Sequence, residues 1–170
     1  MSRRRLHLPS LFICLIAALF FVLPTHAQDG APPPPKNSLY LELGGNALAY
    51  SINYDRIIGD DFSVRAGIGF FSTDLDEGGS SSIAGIPVMA NYLLGSGNSR
   101  LELGAGILIV TGSFDVAGAS DSGAGVAGTG TFAYRFQKPE GGVFFKGGFT
   151  PIIAGGSFIP WFGVSIGYTL

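Results

Sequence analysis

Beyond residue 27 this chain has neither cysteine nor histidine: its one cysteine, Cys14, and both histidines, His7 and His26, all precede that point. That absence excludes a disulfide-stapled fold. It also removes the side chain that most often serves as general base near neutral pH. Charge is scarce as well, at 13% of residues, and ten Lys and Arg stand against twelve Asp and Glu for a formal net charge of −2. Nucleic-acid binding needs clustered positive charge, which makes this chain a poor candidate for it. No apolar run reaches the roughly 20 residues of a spanning helix. The longest, Leu11 to Leu23, ends at Pro24.

What is present at the start reads as an export signal. Arg3, Arg4 and Arg5 precede the apolar run, and Thr25-His26-Ala27 supplies small residues where a signal peptidase cuts, so cleavage is expected after Ala27. The remaining 143 residues carry seven Lys and Arg against the same twelve acids, a formal charge of −5. Residues 28–37, with four consecutive prolines at Pro32 to Pro35, read as an extended linker. Residues 38–170 are then one domain.

All 27 glycines fall in that mature part, beside most of the 14 Phe and all 6 Tyr. Gly-rich linkers are poor in aromatics, whereas glycine and aromatics in short alternating segments mark all-β folds. Eight segments alternate with period two: 38–45, 49–57, 62–72, 83–94, 99–111, 126–137, 142–151 and 158–169. Short turns at Ile58 to Asp61, Gly95 to Asn98 and Lys138 to Gly141 alternate with longer polar stretches at Ser72 to Ser82, Gly112 to Gly125 and Ile152 to Ser157. The connection near Gly45 and Asn46 is short and breaks this trend. Short turns on one rim and longer loops on the other predict an eight-stranded antiparallel up-and-down transmembrane β-barrel, both ends on the short-turn side.

Parity sorts the two faces. Phe162, Val164, Ile166, Tyr168 and Leu170 share one face of the last strand, and Gly163, Ser165, Gly167 and Thr169 the other. The third and fifth strands repeat the pattern, with Arg65 and Glu102 among the glycines. Because the charged face is also the small face, it cannot fill an apolar core, and the large apolar face is read as pointing to lipid, with a soluble secreted β-barrel of reversed faces as the alternative. Tyr54, Tyr92, Tyr134 and Tyr168 sit near the ends of alternate strands, at one height, and predict an interfacial aromatic girdle.

Each odd-numbered strand carries a charge followed two positions on by glycine: Glu42 and Gly44, Arg65 and Gly67, Glu102 and Gly104, Lys146 and Gly148. Their register predicts a lumenal belt of alternating sign, with Asp55 and Arg135 as a further pair and the glycines making room for the long side chains. Buried ions need such partners, because stranding one costs about 3–5 kcal/mol. An eight-stranded barrel is just wide enough for side chains to fill, so the belt reads as a plug. A narrow channel or proton leak is the alternative.

No serine has a base placed beside it, which argues against an enzyme, including a lipid-modifying one. Gly123-Ala124-Gly125-Val126-Ala127-Gly128 matches a dinucleotide-binding pattern but runs into strand residues rather than a helix, and no cofactor is expected. Asp74, Asp76 and Glu77 form an acidic cluster in an expected outer loop, where the bland reading is solubility and the alternative a divalent cation. Pro87, which lacks a ladder donor, predicts a bulge.

The signal, the eight amphipathic strands and the ending Pro160-Trp161-Phe162-Gly163-Val164-Ser165-Ile166-Gly167-Tyr168-Thr169-Leu170 resemble small outer-membrane barrels of the OmpA and OmpX type. The resemblance covers residues 38–170. It implies an outer-membrane location, outer-membrane lipid as surroundings and a monomer. It further implies delivery to the barrel-assembly machinery through the last strand, although that strand ends in Leu170 where the family usually has Phe. Any ligand would meet the outer loops.

Overall fold

The computed structural model describes residues 34–75, 79–116 and 119–170, the side chains of 74, 75, 79, 114–116, 119 and 120 excepted. The expected signal at 1–27 and most of the linker lie outside the described residues, as do the side chains of Asp74, Asp76 and Glu77.

The strands are β1 (Asn37–Gly44), β2 (Tyr50–Ile58), β3 (Phe62–Leu75), β4 (Gly79–Leu94), β5 (Ser99–Val116), β6 (Ala119–Gln137), β7 (Gly142–Phe149), β8 (Ile152–Ala154), β9 (Ser157–Ile159) and β10 (Phe162–Thr169). Each of β1 to β6 pairs antiparallel with the next. Strand β6 then pairs with β7 and, further along, with β8. Short β8 and β9 pair with each other and continue β7 and β10 across Pro151 and Pro160, which cannot donate to a ladder. Strand β10 returns to β1, with Leu39 opposite Tyr168 and Leu41 opposite Ile166. Ten segments thus make eight wall strands and a closed antiparallel barrel. Closure leaves no edge around the body of the wall, the condition a barrel in lipid must meet.

The turns at 59–61, 95–98 and 138–141 gather on one rim with the start of β1 and the end of β10, where the Leu170 amide donates to the Asn37 carbonyl at 2.7 Å. Large apolar side chains point outward: Leu41 is 56% and Ile166 63% exposed, while Glu102 and Arg135 are completely buried. A water-soluble protein buries the opposite set. The interior combines charged and polar side chains with buried Tyr40, Met89, Leu93 and Phe144, and a small apolar cluster of Leu108, Ala127 and Ile152 lies near the other rim.

Three expectations are corrected. Ser72 to Ser82 and Gly112 to Gly125 are not loops along most of their length. Strands β3 and β4 pair out to Leu75 and Gly79, and β5 and β6 out to Val116 and Ala119. Ser, Thr and Gly there carry too little apolar alternation to be read as strand, yet the ladder continues because each hairpin's register is already fixed below. Second, Pro87 makes no bulge. It stands opposite Leu108 in an unbroken β4–β5 register, and the β3–β4 ladder lapses beside it and resumes in the same register. Third, Ile152 to Ser157 is largely strand, in β8 and β9.

Candidate functional site: an ionic network across the lumen

Inward parity on β1, β2, β3, β5, β6 and β7 delivers Glu42, Asp55, Arg65, Glu102, Arg135 and Lys146 to the lumen, each at most 2% exposed. Glu42 accepts from both Nη atoms of Arg65, at 3.3 and 3.4 Å, and from Ser165 Oγ at 3.2 Å. Glu102 accepts from Lys146 Nζ at 3.1 Å and from Arg135 Nη1 at 2.9 Å. Arg135 reaches further, with Nη2 2.6 Å from Asp55 Oδ1, so one guanidinium joins β2, β5 and β6. Lys146 Nζ stands 3.9 Å from Glu42 Oε1 and closes the chain of ions. Three carboxylates face three cations, so no ion is left without an opposite charge.

The pattern of partners differs from a ring of four alternating neighbours. Glu102 pairs with Lys146 and Arg135, not with Arg65, and Arg135 serves two acids. The glycines near the charges also act differently from expectation. A side chain at Gly67 would collide with Asn53 and one at Gly104 with Asn91, in each case the residue directly across the ladder. Room at these glycines is therefore taken by the neighbouring strand's side chain and not by the ions.

Several lumenal groups escaped sequence reading. Tyr40 stacks on Phe144 with ring centroids 4.6 Å apart. Lys146 Nζ lies over the Tyr40 ring at 5.0 Å and Arg135 over the Phe144 ring at 4.9 Å, and Lys146 also donates to the Tyr40 hydroxyl at 3.1 Å. These cation–aromatic contacts are strongest where water is absent. Tyr40 shares parity with Glu42, and Phe144 with Lys146, which was the signal available. Asn46 was seen only as part of a short connection. It is fully buried, accepting from Arg65 Nη2 at 2.6 Å and from Thr131 Oγ1 at 3.2 Å, and donating to Thr129 Oγ1 at 2.6 Å and the Gly130 carbonyl at 2.8 Å.

Outside, Tyr54, Tyr92, Tyr134 and Tyr168 all point away from the lumen near the short-turn rim. Tyr54 and Tyr168 flank Leu39 in register, and Tyr92 stands opposite Phe62 and Leu103, Tyr134 opposite Leu101. Tyr54 Oη donates to Asn37 Oδ1 at 2.9 Å, and the Tyr134 and Ser99 hydroxyls share a hydrogen bond of 2.8 Å. The glycine-rich 123–128 stretch lies within β6 and no helix follows it, so it lacks the context a phosphate-binding turn requires.

No family model matches the chain, and no curated protein matches it in sequence. Solved structures match in shape. The N-terminal barrel domain of Pseudomonas aeruginosa OprF is 13% identical with a TM-score of 0.62, covering 81% of this chain and 99% of that one. The attachment invasion locus protein Ail of Yersinia pestis, in complex with the heparin analogue sucrose octasulfate, is 12% identical with a TM-score of 0.57, covering 81% and 99%. Neisserial surface protein A is 11% identical with a TM-score of 0.51, covering 79% and 90%. At such identities the likeness concerns the fold, which is that of eight-stranded outer-membrane barrels.

Proposed function

We propose that this chain is a closed, non-enzymatic barrel of the bacterial outer membrane that holds a four-stranded sheet beyond the lipid as its interaction element. One observation carries the reading: β3 to β6 run to 14, 16, 18 and 19 residues, while β1 and β2 have 8 and 9, and the other two wall strands, β7 continued by β8 and β9 continued by β10, span only 142–154 and 157–169 with a proline break in each. The extra length changes chemistry as it leaves the wall. On β5 the outward residues are Leu101, Leu103, Ala105, Ile107 and Ile109, then Thr111 and Ser113. On β4, Ser82 replaces the apolar residues, and its hydroxyl bonds that of Ser113 at 2.8 Å. An apolar band followed by hydroxyls is the profile of a strand passing from lipid to water.

Above Gly69 on β3 and Gly128 on β6 the sheet pairs with no further strand among the described residues, so it offers exposed backbone as well as side chains. The remaining assignments agree with this role. The 1–27 leader directs export, the terminal strand ending at Leu170 engages the assembly machinery, and the tyrosines sit at the inner interface. The barrel works as a monomer and without a cofactor. Catalysis is disfavoured because no histidine follows His26. A sulfated sugar such as the one bound to Ail fits this sheet poorly, since no Lys or Arg occurs between Arg65 and Arg100 or between Arg100 and Arg135.

Envelope fractionation with thiol labelling tests the reading. Detergent alone should extract the chain from outer membranes. In intact cells a membrane-impermeant maleimide should label Ser122→Cys, on the protruding sheet, and leave Asp60→Cys, on the short-turn rim, unlabelled. Extraction by an alkaline wash without detergent, or the opposite labelling pattern, overturns it.

A further inference from the structure

We propose that an acyl chain of an outer-leaflet lipid enters the barrel mouth over the β1–β2 hairpin and lies on Phe71, Ile83 and Val110. This rests on the outer-membrane reading and adds a ligand site to it. Above its closed ring the wall is notched at that hairpin, where β1 and β2 end at the pair Leu43 and Tyr50. Their neighbours go further. Strand β3 is last paired with β2 at Gly69 and runs on to Leu75. Strand β10 is last paired with β1 at Gly163, and Phe162 and β9 continue that flank. Outward apolar side chains persist on both flanks above the hairpin: Phe70 is 53% exposed on one, Phe162 68% and Phe158 61% on the other. The gap therefore opens at a depth where the barrel still faces lipid.

Among the described residues no strand fills this gap. The turn Gly45–Ala47 folds inward beneath it, and Trp161 Nε1 crosses its lower corner to the Leu48 carbonyl at 3.0 Å. Behind the gap the inward side chains change character. Deeper in the lumen they include ions and amides, but here Phe71 stands opposite Ile83 on β4, and Val110 on β5 opposite Gly85. Leu48 and Val110 pack on Leu108, Ala127 and Ile152, which make an apolar floor. The space above that floor is open. An added Cβ at Gly123 or Gly125, on the inward face of β6, would meet nothing within 4 Å, and Phe71 is 47% exposed. An apolar concavity that continues through the gap into the lipid face favours a hydrocarbon chain over water. The edge of β3 from Phe70 to Ser72 meets no partner strand on the side of the gap. Hydrocarbon does not tolerate such an edge, so the lipid's polar head belongs there and its chain on the three apolar residues.

Trp161 is the chain's single tryptophan, so Trp161→Phe provides a dark background for the test. On it, Ile83→Trp reports from behind the gap and Ile86→Trp from the lipid face of the same strand. Each barrel is refolded into vesicles of phosphatidylcholine brominated along its acyl chains, with heat-modifiable gel mobility as the check on folding. Both should lose emission to a comparable extent relative to unbrominated vesicles. Adding Val110→Glu, which places a charge on the chain's path, should restore the emission of Ile83→Trp and leave Ile86→Trp quenched. Should Ile83→Trp not fold, Val110→Trp with and without Ile83→Glu reads the same expectation. Emission behind the gap that ignores brominated lipid and is quenched by aqueous acrylamide overturns the proposal, because the mouth would then hold water. So does quenching that Val110→Glu leaves unchanged. Ile86→Trp untouched by brominated lipid would overturn the membrane reading itself, a separate result.

Discussion

The Arg135 guanidinium on β6 lies 2.6 Å from the Asp55 carboxylate on β2, both completely buried, and these strands are not neighbours in the wall. The same guanidinium holds Glu102 at 2.9 Å, and Ser63 Oγ donates to the other Asp55 oxygen at 2.9 Å. The contact therefore ties opposite sides of the barrel through its middle. Ladder hydrogen bonds hold each strand to its neighbours, and only lumenal side chains can fix the cross-section.

Arg135→Met should destabilise the folded barrel by about 3–5 kcal/mol, because it strands two carboxylates in a low dielectric. The exchanged pair Asp55→Arg with Arg135→Asp should recover only part of this, since Glu102 then lacks its second cation. Urea titration in detergent micelles reads both values. An unchanged midpoint for Arg135→Met would show that the ions are hydrated.

Glu102 offers a coupling test. Its partners are Lys146 and Arg135, so Glu102→Ala should cost a similar about 3–5 kcal/mol. Glu102→Ala combined with Lys146→Met should cost clearly less than the two single changes together, by about 0.5–3 kcal/mol as residues in one network do. Glu102→Ala with Arg65→Met should show weaker coupling. Equal coupling to both cations would contradict the partner assignment.

Gly167 stands directly across the ladder from Tyr40, and a Cβ there would collide with the Tyr40 side chain and backbone. Gly167→Ala should lower refolding yield into micelles and displace the Tyr40 ring from Phe144. Gly97→Ala, at a turn glycine with open space around it but a φ of +74°, should cost only the backbone strain and lower the yield less. The contrast separates a close approach from mere conformational freedom. Equal yields for the two variants would count against the Tyr40 packing.

The lipid face can be probed by depth. Ile166→Arg, midway along β10 and 63% exposed, should cost about 2–4 kcal/mol of stability in a bilayer. Ser122→Arg, on the protruding part of β6, should cost about 0–1 kcal/mol, as expected near or beyond the interface. Refolding into lipid vesicles with denaturant titration gives both numbers. Similar costs at the two sites would mean that the apolar band has been placed wrongly.

Shortening the outer sheet should respect its register. Phe114 stands opposite Asp121 and Ser113 opposite Ser122, so removing Phe114 to Asp121 and bridging Ser113 to Ser122 with a tight turn keeps every remaining pair. Such a variant should assemble with a nearly unchanged unfolding midpoint and lose any binding that the sheet provides. Deleting Gly118 to Ala124 instead removes residues from one strand only and should lower the yield. Pulse-labelled assembly into outer membranes compares the two.

The amino-acid sequence by itself determined the wall. Period-two alternation, with large apolar residues on one face and Gly, Ser and ions on the other, set the number of strands, their direction and which face meets lipid, because strand geometry leaves each side chain only two directions. The same parity placed Glu42, Arg65, Glu102, Lys146, Asp55 and Arg135 inside. Tertiary structure decided who meets whom. That Glu102 takes Arg135 rather than Arg65 depends on strand tilt and stagger around a closed barrel, which no local pattern records. It also decided how far β3 to β6 extend, since Ser, Thr and Gly join a ladder only when the neighbouring strand is already held in register. Least legible was the turn at Gly45 to Ala47. Three small or polar residues carry no sign of burial on their own, and Asn46 gains its four partners only once β3 and β6 face it across the lumen.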